Sequence, residues 1–232
     1  MCARVSAWHR LVHPGRVTHA YWPLLDLRLI SGDLELTPLV EADLAEVVRL
    51  MPADLELNPA APRFAVDEPT QRGVVVHQEY WRSYGTWTTE AWRFHLAARR
   101  DGRLLGLQEL EGNEFPRLRT VDTSSWLVEN VRGKGIGKAM RRAVLALAFD
   151  HLGALAAITS AWHDNHASLG VSRSLGYRPN GESLLVRGEG VDTLVHLRMT
   201  VADWRSTGGA PDVTVTGVPE ALPLFGLSRS LP

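Results

Sequence analysis

The octapeptide Val131-Arg132-Gly133-Lys134-Gly135-Ile136-Gly137-Lys138 limits what this chain can be more than any other stretch. It follows a strand pattern rich in Val, Thr and Trp, Thr120–Val128. It opens the clearest helical pattern, Gly135–Leu152, whose apolar stripe is Ile136, Met140, Val144, Leu147, Ala148 and Leu152. Glycines let successive backbone N–H groups turn toward one point, and a helix N-terminus adds its dipole, so this junction makes an anion site. Arg132, Lys134 and Lys138 add positive charge, and the last two are the only lysines in the chain. A phosphate or pyrophosphate suits such a loop. Two nucleotide motifs fail on spacing. A Walker A loop needs Ser or Thr after Gly-Lys, where Ala139 stands, and a glycine where Arg132 stands. A dinucleotide loop needs Gly-x-Gly-x-x-Gly, whereas this loop is Gly-x-Gly-x-Gly and no βαβ unit precedes it.

The chain has 232 residues, 45% hydrophobic and 22% charged, enough for a sizeable core and outside the disordered and fibrous classes. Its net charge of −1 argues against a general nucleic-acid or membrane-surface binder. One cysteine, Cys2, excludes an internal disulfide and an all-cysteine zinc site. The longest apolar runs, such as Val144–Phe149, are far short of a membrane span. Residues 1–20 carry Arg4, Arg10 and Arg16 but no uninterrupted apolar segment, so they read as a poorly ordered leader of a cytoplasmic protein. His9 and His13 within it could share a helical face and bind metal, or be simply solvated.

Along the chain, Leu27–Leu36 reads as a strand pair turning at Ser31-Gly32-Asp33, and Glu41–Met51 as a helix. Asn58–Arg63 reads as loop, and Thr70–Tyr84 as a helix weakened by Gly73 and Val74-Val75-Val76. Arg93–Arg99 and Leu104–Leu110 form a hairpin through Asp101-Gly102. Ala156–Trp162 is a short buried strand and Asn165–Leu175 a helix stopped by Gly176. Ser183–Gly188 and Asp192–Val201 are strands joined through Glu189-Gly190. This order predicts one α/β domain at 21–205 with a mixed, mostly antiparallel sheet. Residues 206–232 form an extension: a Gly/Pro linker, a strand at Asp212–Thr216 and an apolar Leu222–Leu227. The extension is expected to pack on the domain or across a homodimer.

The pattern Arg132-x-x-Gly135-x-Gly137 after a strand resembles the acyl-CoA pyrophosphate loop of GNAT N-acetyltransferases. Asn165-x-x-Ser168, with Ser172-Arg173-Ser174-Leu175-Gly176-Tyr177 behind it, resembles the RimL-like branch, as does Ser125-Trp126-Leu127. The similarity covers about residues 22–226. At its ends, Trp22-Pro23-Leu24 and Leu224-Phe225-Gly226 look like a subgroup from high-GC Gram-positive bacteria, some of whose members resemble succinyl-CoA users. The resemblance implies a sheet that splays beside the loop, with pantetheine entering the gap. It implies that Leu127 and Val128 offer backbone groups to the pantetheine arm. Arg132, Gly133, Lys134, Gly135, Ile136, Gly137 and Lys138 would cradle the pyrophosphate. Asn165 would bond the cofactor near its amide end, and Ser168 would attend the departing thiolate. Asn165 could equally be an N-cap and Ser168 an idle surface serine.

The implied reaction moves an acetyl group, or a succinyl group, from CoA to an amine: a protein N-terminus, a lysine or a small amine. With the sole cysteine in the leader, direct attack in a ternary complex is expected. No metal is needed. His163, Asp164 and His166 have no recognised zinc spacing. For the general base, Ser160 stands near the position where many relatives carry Glu and cannot serve. Asp122 aligns with an acidic position of the RimL-like branch, shares a strand face with Ser124 and Trp126, and could equally be a structural carboxylate. Glu109 and His163 are weaker options. Tyr80, Trp81, Tyr84 and Trp87 could be core or could line an acceptor pocket between the early helices and the last strand pair. A succinyl donor would need a cation, for which Arg119 and Arg187 are candidates. A non-catalytic acyl-CoA sensor and a structural dimerisation protein are the competing classes.

Overall fold

The computed structural model describes residues 19–56 and 62–228. Cys2, His9, His13 and most of the 1–20 leader lie outside those residues, as does most of the loop expected at 58–63. A turn of 3-10 helix, Pro23–Asp26, leads into the hairpin β1 (Arg28–Ser31) and β2 (Leu34–Pro38). Helices α1 (Leu44–Leu50) and α2 (Glu68–Gly85) follow. The carboxylate of Asp67 caps α2 by accepting from Thr70 N at 2.9 Å, and Pro69 lies in the first turn. That start signal carries the helix through Gly73 and the valine run. Next come β3 (Ala91–Arg100), β4 (Arg103–Asn113), the single-turn α3 (Phe115–Leu118) and β5 (Thr120–Leu127). Then follow α4 (Ile136–Ala146), β6 (Ala156–Trp162), α5 (His166–Ser174), β7 (Arg178–Arg187) and β8 (Gly190–Thr200). The chain closes with α6 (Val201–Ser206), β9 (Val213–Thr216) and α7 (Val218–Ala221).

The nine described strands form one sheet in the order β7-β8-β6-β5-β4-β3-β2-β1-β9. Every neighbouring pair is antiparallel except β5–β6. Alternation along β3 turns Phe94, Leu96 and Ala98 toward one face and Ala97 toward the other. The first face packs with Leu29, Leu36, Leu110 and Val121 against Met140, Val144 and Leu147. The second carries a smaller cluster of Leu39, Leu44, Val47, Ala97 and Leu104, with Tyr80, Leu107 and Trp126 packed on it. The expected mixed, mostly antiparallel α/β fold is therefore present, with helices on both faces.

Three boundaries differ from the sequence reading. The helix expected over 135–152 is α-helical only to Ala146 and then makes one π turn, Leu147–His151. β7 begins at Arg178, five residues before the expected Ser183. Pro179 and Gly181 look like turn residues, but they sit in a register shift between Pro179 and Glu182, and Gly181 takes φ 103° there. Val201 starts a helix instead of ending a strand. Thr200 Oγ1 accepts from Asp203 N, and Asp203 Oδ2 accepts from Thr200 N, both at 3.1 Å, which makes a capping box.

The C-terminal segment is built into the same chain's sheet and core. Thr216 to Val213 pair antiparallel with Arg28 to Ser31. Phe225 is fully buried, with ring centroids 4.9 Å from Trp92, 5.6 Å from Trp87 and 6.2 Å from Phe94. Trp87 Nε1 donates to Leu224 O at 2.7 Å. We expect Phe225→Ala to destabilise the chain by about 3–5 kcal/mol in chemical denaturation, the usual cost of emptying a buried aromatic site. An unchanged midpoint would show that this segment is not part of the core.

Candidate active site

The one parallel pairing in the sheet ends early. Thr120–Asp122 pair with Ala156–Ile158, after which β5 continues to Leu127 beside β4 and β6 to Trp162 beside β8, no longer paired with each other. Side chains replace the ladder where the strands part. Thr159 Oγ1 donates to Thr123 O at 2.8 Å, Thr123 Oγ1 donates to Ile158 O at 3.2 Å, and Asp122 Oδ1 accepts from Thr123 N at 2.6 Å. Val128 N donates to Leu105 O at 2.9 Å, which fixes the alternation beyond the fork. Val128, Trp126 and Ser124 turn their backbone groups to β4. Leu127, Ser125 and Thr123 turn theirs toward the gap. Of the two residues implied for the pantetheine arm, Leu127 faces the cleft and Val128 does not. Val128 O is also taken, by Val131 N at 3.1 Å, and Ser125 stands in the cleft in its place.

The glycine loop lies at the open end of this fork. Gly133 and Gly135 take φ 73° and 79°, and a Cβ on either would meet no atom within 4 Å, so the conformation rather than crowding calls for glycine. Gly135 precedes α4 without any side-chain cap, which leaves the first-turn amides of Ile136, Gly137 and Lys138 for an anion. Gly137 sits over β5, its Cβ direction 3.4 Å from Leu127 Cδ1. Lys138 is exposed, and Lys134 Nζ donates to Asn130 O at 3.0 Å. Arg132 is more committed. Its Nη atoms bind the Asp54 carboxylate at 2.6 and 2.8 Å, and its Nε donates to Leu127 O at 3.2 Å.

α5 flanks the loop, with Val171 Cγ2 4.0 Å from the Cβ direction of Gly137. Asn165 Oδ1 accepts from Ser168 N at 3.0 Å and so caps α5. The cap uses only the amide oxygen of Asn165, which is an exposed residue. Ser168 O accepts from Ser172 Oγ, and Ser168 Oγ has no hydrogen-bond partner among the described residues.

On the α2 side of the sheet, β3, β4 and β5 present a polar row. Register places His95 opposite Glu109 and Glu109 opposite Ser124, with Arg93, Glu111 and Asp122 one step along. Glu109 lies 3.1 Å from His95 Nδ1, 3.6 Å from Arg93 Nε and 3.4 Å from Ser124 Oγ. Burial pushes its carboxyl up to about 7, against Arg93 and with help from Glu111 and Asp122. Burial and then Arg93 push His95 down to about 4, which favours the neutral ring, and its Nδ1 lies beside Glu109 without a charge of its own. Burial also raises Asp122, and its bond to Thr123 N opposes that rise. Arg93 binds Glu111 at 2.9 Å and Glu79 at 3.3 Å.

Arg141 lies behind the fork. It is 2% exposed, its Nη1 donates to Thr159 Oγ1 at 3.3 Å, and its Nε is buried with no partner. No carboxylate among the described residues lies within ion-pair distance of it. The arginines singled out from sequence are placed differently. Arg187 binds Glu56, Asp164 and Asp192 and lies over the Trp162 ring, 4.9 Å from its centroid. Arg119 donates to Leu152 O at 3.1 Å and lies over Phe115. Neither is free for an acyl carboxylate. His163 Nδ1 pairs with Asp192 at 2.8 Å, away from Asp164, and no group of residues suited to a metal occurs among the described ones. Ser160 Oγ bonds His196 Nδ1 at 2.7 Å. Of the four aromatics, Tyr80 and Tyr84 line a cavity of about 310 Å³ with Trp22 and Leu25, Trp87 is half-buried and packs against the core, and Trp81 is exposed.

Sequence reasoning ranked Glu109 low and did not single out Arg141 or Asp54. The alternation of β4 against a strand carrying His95 was the available signal for Glu109. Nothing local marked the other two.

Residues 33–178, more than half of the chain, match the model of the acetyltransferase (GNAT) domain family. Among solved structures, RimJ of Mycobacterium smegmatis in complex with CoA-disulfide superposes with a TM-score of 0.59 at 18% identity, covering 81% of this chain and 97% of that one. A spermidine N-acetyltransferase chimera of Vibrio cholerae SpeG and hSSAT superposes with a TM-score of 0.59 at 14% identity, covering 75% and 99%. At those identities the likeness is one of fold. The chain belongs to the GNAT acetyltransferase domain family and is an N-acyltransferase enzyme.

Proposed function

We propose that the β5–β6 fork is an acyl-CoA site and that the enzyme, a RimL-like member of its family, acylates a primary amine by direct attack. One observation carries this reading. An uncapped, cation-flanked helix N-terminus at Gly135–Lys138 and the backbone groups of Ser125 and Leu127 that β4 leaves unpaired open into the same cleft. Those are the groups a diphosphate and an extended amide-bearing arm require. The transferase unit is 21–205, with 206–232 as an extension that completes the sheet.

Acetyl-CoA supplies the thioester whose acyl carbon the amine attacks. The chain's own residues do the rest. Arg132, Lys134, Lys138 and the amides of 133–138 hold the diphosphate end. Asn165 offers its amide nitrogen to the arm. Ser168 Oγ, free at the start of α5, donates to the sulfur as the C–S bond breaks. A Ser125 or Leu127 N–H steadies the oxygen that gains charge. No cysteine lies among the described residues to carry the acyl group, which favours direct transfer.

For the proton on the attacking amine, Asp122 and Glu109 compete. Asp122 is spent on Thr123 N at the fork. Glu109 is one strand away and 3.4 Å from Ser124 Oγ, and its side chain is 23% exposed, so solvent reaches it. Its carboxyl titrates near the pH where a general base works best. We assign the base to Glu109, with Ser124 or a water as relay, and give Asp122 the task of holding the fork.

Arg141 favours a second reading of the donor. A buried guanidinium whose close partners are the Thr159 and Tyr177 hydroxyls, with Asp122 the carboxylate whose charge it feels from beyond ion-pair distance, is costly unless a further anion joins it. A succinyl group would bring a carboxylate to the closed end of the cleft. Thermal-shift titration with CoA, acetyl-CoA and succinyl-CoA tests both points. We expect melting temperature to rise with ligand excess. If succinyl is the donor, its shift exceeds that of acetyl-CoA and Arg141→Gln removes the difference. A melting temperature unmoved by all three contradicts the site assignment.

The base assignment has its own test. Glu109 must be ionised to accept a proton, and its carboxyl is raised to about 7. Activity is then present above that pH and falls as pH drops through it. We expect kcat/KM to show an acid limb near pH 7 and Glu109→Gln to lower kcat by about 10²–10⁴-fold, the usual worth of a general base, and to abolish the limb. A limb that persists in Glu109→Gln and disappears in Asp122→Asn would reverse the assignment.

A further inference from the structure

We propose that residues 52–56 form a latch across the mouth of the fork, held closed by Asp54 on Arg132, and that the donor's diphosphate must displace Asp54 to bind. The proposal rests on the acyl-CoA reading of the fork.

The anchors of this segment lie beyond the two strands that part. Arg132 follows β5, at the start of the glycine loop. Arg187 lies over Trp162, the last residue of β6. Asp54 binds the first through both carboxylate oxygens, at 2.6 and 2.8 Å, and Glu56 binds the second at 2.6 Å. Between and beside them, Arg72 of α2 donates to Pro52 O at 2.6 Å and to Leu55 O at 3.2 Å. Three arginines from three separate parts of the chain thus tether one short segment over both lips of the cleft.

The contact at Arg132 concerns the donor directly. Its Nη atoms are on Asp54 and its Nε is on Leu127 O, the carbonyl that faces the gap. The guanidinium meant for a phosphate and the carbonyl meant for the pantetheine arm are therefore engaged through one side chain. A carboxylate on a guanidinium has the same two-pronged geometry as a phosphate, so Asp54 occupies the place the ligand needs. The pair is displaceable. The Asp54 side chain is 63% exposed and that of Arg132 41%, and exposed pairs are weak. Arg187, which binds three carboxylates, and Arg72 keep 52–56 beside the mouth when Asp54 lets go.

The test is calorimetric titration of the full chain with free CoA at low salt. Asp54→Asn keeps the side chain's shape and removes its charge. Asp33→Asn, in the β1–β2 turn and paired to Arg100, controls for the general effect of one fewer negative charge on an anionic ligand. We expect Asp54→Asn to bind CoA about two- to fivefold more tightly than the wild type, as suits release from one exposed pair. The advantage should shrink in ~1 M salt, where the wild-type pair is screened. Equal or weaker binding by Asp54→Asn, or an equal gain in Asp33→Asn, overturns the latch while leaving the acyl-CoA site standing. Absence of CoA binding in all three proteins overturns both.

Discussion

The hydroxyls of Thr123 and Thr159 and the carboxylate of Asp122 set where two parallel strands stop pairing. Each takes a backbone group that the next rung of the ladder would have used: Thr123 O, Ile158 O and Thr123 N. Without them the parting of β5 from β6 would leave unpaired polar groups inside the protein, at a cost of about 1–3 kcal/mol each. With them, β5 can run on beside β4 alone and present Ser125 and Leu127 to a gap. The position of the loop depends on the same geometry, because Gly137 and α4 rest on Leu127 at the end of that strand. The proposed donor site is in this sense a consequence of three short side chains.

Charge is distributed around the fork with the same economy. Most arginines near it are tied to carboxylates: Arg93 to Glu111 and Glu79, Arg187 to three acids, Arg132 to Asp54. Arg141 is the exception, buried against a threonine hydroxyl. The carboxyls divide into two groups. Asp54 and Asp192 are held low by guanidinium partners, while Glu109 and Asp122 are raised by burial. The lowered ones are tethers on guanidinium groups, and of the two raised ones only Glu109 is the base we propose, since Asp122 is bonded to Thr123 N.

Local pattern made much of this legible from sequence. The glycine loop, the stripe of α4, the cap at Asn165 and the hairpins each follow from residues within one element. The family resemblance supplied what the loop would hold. What stayed hidden depends on pairings far apart in the chain. Glu109 ranks low until β3 and β5 bring His95 and Ser124 to its sides. Asp122 reads as a candidate base, and the sequence does not reveal that its carboxylate accepts from Thr123 N. The groups on Val128 looked available, but strand alternation, fixed by Leu105, points them away. Asp54 meets Arg132 across 78 residues, and no spacing rule connects them. Arg141 reads as one more polar helix position, and only the fold buries it.

The central claim, that the β5–β6 fork and its glycine loop hold the acyl donor, is open to direct observation. Backbone amide resonances followed while CoA is titrated in would report contact residue by residue. The account requires the first and largest changes at Ser125, Leu127 and residues 133–138, with Asn165 and Ser168 following. Changes centred instead on the aromatic cavity of Trp22, Leu25, Tyr80 and Tyr84, with the loop amides unmoved, would contradict it.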